Sequence, residues 1–277
     1  RRARADAESN AADTFGSLAA NYMRRHETKN RDAKQTGYII DAHLLPKWGK
    51  LPLAEIDRAA IRRLVQGIEK PGAANNAFKT GRRIFGWAAD QGYIEASPFP
   101  GLKMPNQLKP RDGSLTLAQV PAFWEACESK GYPFGPAFQM LLLTGQRLRE
   151  VTEKRWSEID LKAKVWNLPA ERTKANRAHS IPLCTLAIEV LQACPRQSGP
   201  FVFSAFGGRE AISGVHHMTG YVKKRAAIDF TPHDLRRSVA RFLAEQTNVS
   251  LEIIGQVLNH AGRTVTEIHY AQRHNEP

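Results

Sequence analysis

The stretch Thr231–Ala240, TPHDLRRSVA, combines the signals of a helix start with a division of its residues between two faces. Thr231 suits an N-cap, and Pro232 suits the first helical position, where a missing N–H costs nothing. At 3.6 residues per turn, His233, Arg236 and Arg237 fall on one side, and Leu235, Val239, Phe242 and Leu243 on the other. One side is therefore anchored in a core. The other presents imidazole and guanidinium groups near a helix N-terminus, where the backbone attracts anions and a phosphate is the obvious guest. A plain surface helix with solvated charges has the same pattern, so the decision rests on what the rest of the chain can bring to that phosphate.

The charge balance narrows the partner. Lys and Arg number 40 against 27 Asp and Glu, a net charge of +13 over 277 residues. Such an excess points to a polyanion, most often nucleic acid. A membrane is not indicated: the apolar run Met140–Leu143 is far too short to span a bilayer. Cys127, Cys184 and Cys194 are odd in number and widely spaced, giving neither a disulfide framework nor a zinc pattern. A reducing, cytoplasmic setting is expected. No signal peptide is visible, and the opening residue is Arg1 rather than Met, so a longer parent protein is expected.

The length suggests about two domains. Residues 1–12 read as a linker or exposed helix. Helices are expected over Asp13–His26, over Thr36–Leu45 with an end at Pro46 and Gly49, after an Asp57 cap, and from about Ala73 to Gln91. On the last of these, Ala74, Phe78, Phe85 and Ala88 make an inner face, and Asn75, Asn76, Lys79, Arg82 and Arg83 cluster opposite. Amide and basic side chains on one face suit phosphate and base contacts, and equally suit ordinary surface decoration. Residues 101–114 hold Pro105, Pro110 and Gly113 with Lys103, Lys109 and Arg111 interspersed, either a basic strap or a spacer.

From Leu115 the pattern changes. Helices are expected over Thr116–Cys127, Phe134–Leu143, Arg147–Trp156, Thr185–Ala193, Ser213–Ala227 and Leu251–Leu258, besides the one at Pro232. Lys164–Leu168 and His179–Leu183 read as a small β-hairpin, and Phe201–Phe203 as a brief extended piece. The fold class is mainly α with a small β-hairpin or sheet.

Four separated pieces carry chemistry. In LLLTGQRLREV, Leu141–Val151, Gly145 allows a sharp turn after a helix, placing Arg147 at the next helix start with Glu150 one turn on to hold it. In ERTKANRAHSIPL, Glu171–Leu183, Lys174 sits in the hairpin turn, solvated or a proton donor on a mobile tip. The third piece is His233 with Arg236. In VLNHAGRTVTEIHY, Val257–Tyr270, His260 follows an apolar helix and Tyr270 lies ten residues on.

Taken in order, TGQRLREV, the hairpin Lys, HDLRR, LNH and a final Tyr resemble the tyrosine recombinases, the phage integrase family, and most of all integrases of prophages and genomic islands. The resemblance covers Phe15 to Tyr270. It implies a helical core-binding domain over 13–100, a basic linker over 101–114 and a catalytic domain over 115–277. It also implies roles. Tyr270 attacks the scissile phosphate to form a 3′-phosphotyrosine, and Arg147 and Arg236 hold the non-bridging oxygens. Lys174 protonates the departing 5′ oxygen, His233 assists proton transfer, His260 hydrogen-bonds the phosphate, and Glu150 supports Arg147. Asn259 stands where the family usually has glycine.

The residue types suit that chemistry. A phenol of pKa about 10 needs a base or positive surroundings to act at neutral pH. Two guanidinium forks stay charged and bind phosphate oxygens bidentately, so no metal and no other cofactor is expected. The expected partner is double-stranded DNA at specific attachment sites. By resemblance, a homotetramer assembles on it, with DNA-bending accessory proteins alongside, in the bacterial nucleoid. Arg237 reads as a DNA-backbone or structural contact, and Lys103 as a DNA contact. His216–His217 point in different directions on a helix and make a poor metal pair, and Tyr221 reads as packing. The competing readings are a silent DNA-binding module of the same fold, a type IB topoisomerase-like enzyme, and a metal nuclease built on His260 and His269.

Overall fold

The structure is a computed structural model that describes residues 14–25, 32–107, 113–174, 176–246 and 248–259. The chain divides into two compact units, Arg1–Pro110 and Arg111–Pro277. Among the described residues no helix is long and apolar enough to cross a membrane.

The first unit is helical: α1 (Phe15–Arg25), α2 (Ala33–Ile39), a π-helical turn (Ile40–Leu44), α3 (Leu45–Trp48), α4 (Arg58–Gln66) and α5 (Pro71–Asp90). Its core is aromatic. Phe15 meets Trp48 edge-on at 5.3 Å and stacks on Phe85 at 5.9 Å, and both Phe78 and Phe85 pack on Phe99. Asp57 caps α4 as its sequence suggests, accepting from the Ala60 N–H at 2.7 Å. The expected stop at Pro46 is corrected: the helix continues to Trp48. The π turn ends just before Pro46, which falls in the first turn of α3, where no intrahelical N–H is required.

A second correction concerns the polar face of α5. Asn76, Lys79, Arg82 and Arg83 are exposed, but Asn75 is buried at 6 % exposure. Its amide donates to the Asn106 carbonyl at 3.0 Å and accepts the Asn106 N–H at 3.1 Å, which fastens the start of the linker to α5. Arg82 lies over the Phe78 ring and donates to the Leu102 carbonyl at 2.7 Å, while Arg83 reaches Thr36 Oγ1 at 3.1 Å.

The second unit is built around α7 (Phe134–Thr144), whose residues are buried almost throughout. Around it stand α6 (Val120–Lys130), the short α8 (Leu148–Thr152), α9 (Thr185–Gln192), α10 (Val215–Ala226), α11 (Pro232–Gln246) and α12 (Leu251–Val257). Phe230, just before α11, meets Phe123 of α6 and Phe138 of α7 edge-on at 5.5 and 6.5 Å. The expected hairpin is a three-stranded antiparallel sheet, β1 (Ile159–Asp160), β2 (Val165–Leu168) and β3 (His179–Pro182), with Trp166 opposite Ile181 and Leu168 opposite His179. The expected helix 147–156 is shorter, ending at Thr152. Phe201 forms only an isolated bridge with Arg155.

Helix α11 carries the residues of most interest, and its start departs in detail from expectation. The Thr231 hydroxyl donates to Asp234 rather than accepting a backbone N–H. Asp234 Oδ2 takes both the Thr231 N–H and its hydroxyl at 2.8 Å. Leu235 is fully buried beneath, while Val239, Phe242 and Leu243 are half-buried.

Candidate active site

The site begins at a turn. Helix α7 ends at Thr144, and Gly145 adopts a left-handed φ of 62°. A Cβ there would lie 2.7 Å from Leu258 Cδ2 and 3.1 Å from Val239 Cγ1. Only glycine turns the chain so tightly while letting α11 and the end of α12 close over it. Gly145→Ala is expected to destabilise the second unit by about 1–3 kcal/mol through backbone strain and overpacking. A shift of the denaturation midpoint equivalent to less than about 0.5 kcal/mol would contradict this.

The turn delivers Arg147 to the N-cap position of α8. Glu150 holds it twice, Oε2 accepting the Arg147 N–H at 2.8 Å and Oε1 accepting from Nη1 at 3.0 Å. Arg147 Nη2 donates to the Asn259 carbonyl at 3.2 Å. Arg236 comes from α11, and at 4 % exposure it is buried rather than splayed on the surface beside Arg237. Its Nη1 donates to the Gly145 carbonyl at 2.8 Å, and its Nη2 to the Leu258 carbonyl. Burial, and then the charge of Arg147, push its pKa down to about 10 against the pull of Glu150. The two guanidinium groups thus share one pocket, 89 positions apart in sequence (236 minus 147). The charge of Arg147 acts against that of Arg236, and an anion placed between them relieves the repulsion.

His233 stands at the rim with an exposed edge. Burial, then the charges of Arg237 and Arg236, lower its pKa below the ordinary histidine value, with Asp234 opposing. Its neutral form is therefore favoured, as a proton acceptor requires. Arg237 pairs with Asp234 at 3.1 Å and remains about half exposed. Lys174 is exposed in the connection between β2 and β3. His260, His269 and Tyr270 lie outside the described residues, as do Lys109 and Arg111 of the linker and residues 1–12. In the first unit Lys103 is exposed, like Asn76 and Lys79.

Sequence reasoning missed two members of this pocket. Gln146 Nε2 donates to the Val257 carbonyl at 2.9 Å, and His179, opening β3, has its Nε2 3.1 Å from the same oxygen. With Arg236 on Leu258 and Arg147 on Asn259, three successive carbonyls at the end of α12 are held by four side chains from three places in the chain. A helix C-terminus exposes such carbonyls, and cationic or N–H donors satisfy them. The residue before His260 is thereby fastened to the arginine that sits on α8. Nothing in local sequence marks Gln146 or His179 for this task, because both bonds span more than 75 positions.

Lys154 was also missed. It is fully buried, its Nζ lies 3.6 Å from the Trp166 ring centre, and that nitrogen has no hydrogen-bond partner. Burial lowers its pKa from the ordinary lysine value to about 7, despite Glu158 and Cys194 nearby. Between about pH 7 and the ordinary lysine value the unfolded chain binds the proton and the folded chain does not. Stability therefore rises with pH across that window, by up to about 1.4 kcal/mol per pH unit, and falls again as pH drops. Urea unfolding of Lys154→Met beside the wild type is expected to show the variant's advantage shrinking from pH 7.5 to 9.5. A constant difference would contradict the neutral buried amine.

Among the described residues no group of three or more His, Cys, Asp or Glu side chains is placed to hold a metal ion, and His216 and His217 belong to none. Tyr221 is partly exposed, with its hydroxyl 2.9 Å from Ser129 Oγ.

The model of the phage integrase family matches residues 114–276, and that of the phage integrase central domain matches residues 15–104. Prophage integrase IntZ of Escherichia coli K12 is 32% identical over 185 residues, covering 64% of this chain and 45% of that protein. Tyrosine recombinase XerC of Xylella fastidiosa 9a5c is 26% identical over 257 residues, covering 84% of this chain and 83% of that protein. The chain spans about half the length of the prophage integrases it matches, 45%, 42% and 56% for three of them. In fold it is similar to a lambda integrase dimer bound to a COC′ core site, with a TM-score of 0.75 and 22% identity over 100% of this chain and 83% of that one. It is likewise similar to the Tn1549 transposon integrase in complex with a circular intermediate DNA, with a TM-score of 0.72 and 16% identity, covering 93% of this chain and 94% of that one. With two family models spanning nearly the whole chain, the chain belongs to the phage integrase family of tyrosine recombinases.

Proposed function

We propose that this chain is the recombining part of a prophage or genomic-island integrase, cutting and rejoining DNA at specific attachment sites through a 3′-phosphotyrosine at Tyr270. The observation that carries the reading is the common pocket of Arg147 and Arg236, one guanidinium braced by Glu150 and the other buried. In this reading the two forks bind the non-bridging oxygens of one phosphate and neutralise the charge that builds during in-line displacement. The Tyr270 oxygen forms a bond to phosphorus as the bond to the 5′ oxygen breaks. His233, favoured neutral, takes the phenolic proton, and Lys174 gives a proton to the 5′ oxygen. His260 adds a hydrogen bond to the phosphate. The ester keeps the energy of the broken bond, so rejoining needs neither ATP nor a metal.

The exposed Asn76, Lys79, Arg82 and Arg83 of α5, with Lys103 and Arg237, supply contacts to the DNA backbone and bases. Asn75, committed to Asn106, serves instead to set the linker. The division of labour proposed is a core-binding domain over 13–100, a linker over 101–114 and a catalytic domain over 115–277. Four protomers act on paired sites, with DNA-bending proteins, at the nucleoid.

The test is a suicide duplex, nicked so that the cleaved strand diffuses away, incubated in EDTA. A covalent protein–DNA adduct is expected. Free ends that appear only with a divalent metal would overturn the proposal. Cleavage and relaxation at single, unpaired sites would reassign the same chemistry to a topoisomerase-like role.

A further inference from the structure

Lys174 projects from a turn that is far more constrained than its exposed tip suggests. Arg172 closes a single 3-10 turn, Ala170–Arg172, and its side chain is only 12% exposed. The guanidinium is wedged between two elements. Nη1 donates to both carboxylate oxygens of Glu158, a buried residue that also accepts the Trp166 indole N–H at 3.0 Å. Nη2 donates to the Glu150 carbonyl at 3.0 Å and the Arg149 carbonyl at 3.3 Å, within α8. Thr173 is fully buried. Its Oγ1 accepts the Arg177 N–H at 3.0 Å and lies 3.0 Å from the Ala170 carbonyl and 2.9 Å from that of Arg177. The turn is thus closed on itself by Thr173 and bolted by Arg172 to the helix whose Glu150 holds Arg147.

A general acid must lie within hydrogen-bond reach of its acceptor, and a long lysine on a free loop seldom does. Arg172 fixes the base of that lysine against the residues that hold the phosphate. The path is short: Lys174, two positions back to Arg172, two hydrogen bonds to α8, then Glu150 to Arg147.

We infer that Arg172 is a positioning residue for leaving-group protonation: it sets where the Lys174 ammonium stands relative to the scissile phosphate and contributes to cleavage rate rather than to DNA affinity. The inference rests on the proposed recombinase chemistry. In the step concerned, the Tyr270–phosphorus bond forms, the phosphorus–5′ oxygen bond breaks, and the proton passes from Lys174 to that oxygen, leaving a neutral amine.

The experiment compares single-turnover cleavage of two suicide duplexes, one ordinary and one with sulfur in place of the bridging 5′ oxygen. A thiolate leaves without a proton, so the sulfur duplex does not need the general acid. Arg172→Ala would strand the buried Glu158 carboxylate, so two gentler variants are used: Arg172→Lys, and Arg172→Leu combined with Glu158→Gln. On the oxygen duplex both are expected to cleave about 100-fold more slowly, with DNA affinity within about threefold of wild type. On the sulfur duplex both are expected to recover to within a few-fold of wild type, as Lys174→Ala should. An equal defect on both duplexes, or no defect on either, would overturn the inference. Absence of any adduct from the wild-type protein would instead overturn the underlying reading, and this inference with it.

Discussion

Arg236→Ala is expected to slow covalent adduct formation by about 10³-fold or more, while DNA affinity falls by less than about tenfold. The asymmetry follows from where the side chain sits. Arg236 is buried beside a second arginine, so its charge acts in a medium that screens poorly, on whatever anion enters the pocket. DNA affinity, by contrast, is spread over many backbone contacts, and losing one changes it little. Arg147→Ala is expected to behave alike, with Glu150 then left without the guanidinium it holds. Because Arg236 also donates to the Gly145 and Leu258 carbonyls, the alanine variant loses stability as well. Arg236→Lys separates the effects. It keeps a cation in place but loses the planar fork, and is expected to fold normally and still cleave at least about 100-fold more slowly. A full-rate Arg236→Lys, or equal losses of binding and cleavage in Arg236→Ala, would remove both arginines from the chemistry.

Tyr270→Phe is expected to abolish the adduct outright, to below detection, with DNA binding unchanged. The substitution removes one oxygen and no packing volume, so no structural excuse is available for a loss of this size. Arginine variants leave a nucleophile in place and retain residual cleavage, whereas this one does not. A Tyr270→Phe protein that still captures DNA would direct attention to Tyr221. That residue offers a hydroxyl already engaged with Ser129.

What could be read in advance was local. The Asp57 cap, the left-handed Gly145, the apolar stripe of α5 and the two longer strands each follow from a few neighbouring residues. Glu150 was legible too, because three positions on a helix bring it to Arg147 whatever the rest of the chain does. The rest depended on distant parts of the chain. Asn75 looks like a surface amide until the linker folds back on it. Pro46 looks like a helix stop until a π turn places it in a first helical turn. Arg236 sits on the same helix as Arg237, yet one is buried and one exposed, because Gly145 and the end of α12 close over only one of them. Lys154 carries no signal at all. Its burial is set by the Trp166 ring, brought over it by a strand twelve positions away (166 minus 154). Convergence of the arginines was expected only through the order of motifs, and the pocket itself is a product of packing.

The central claim is that two guanidinium groups act on one and the same phosphate. It is tested most directly by removing charge from the DNA instead of the protein. A suicide duplex with a neutral methylphosphonate at the scissile position lacks the oxygen charge that an arginine would neutralise. On that duplex the gap between wild type and Arg147→Ala, and between wild type and Arg236→Ala, is expected to shrink from about 10³-fold to within about tenfold, while a methylphosphonate one nucleotide away leaves the gap as it was. Defects of full size on both duplexes would mean that the two arginines do not meet that phosphate.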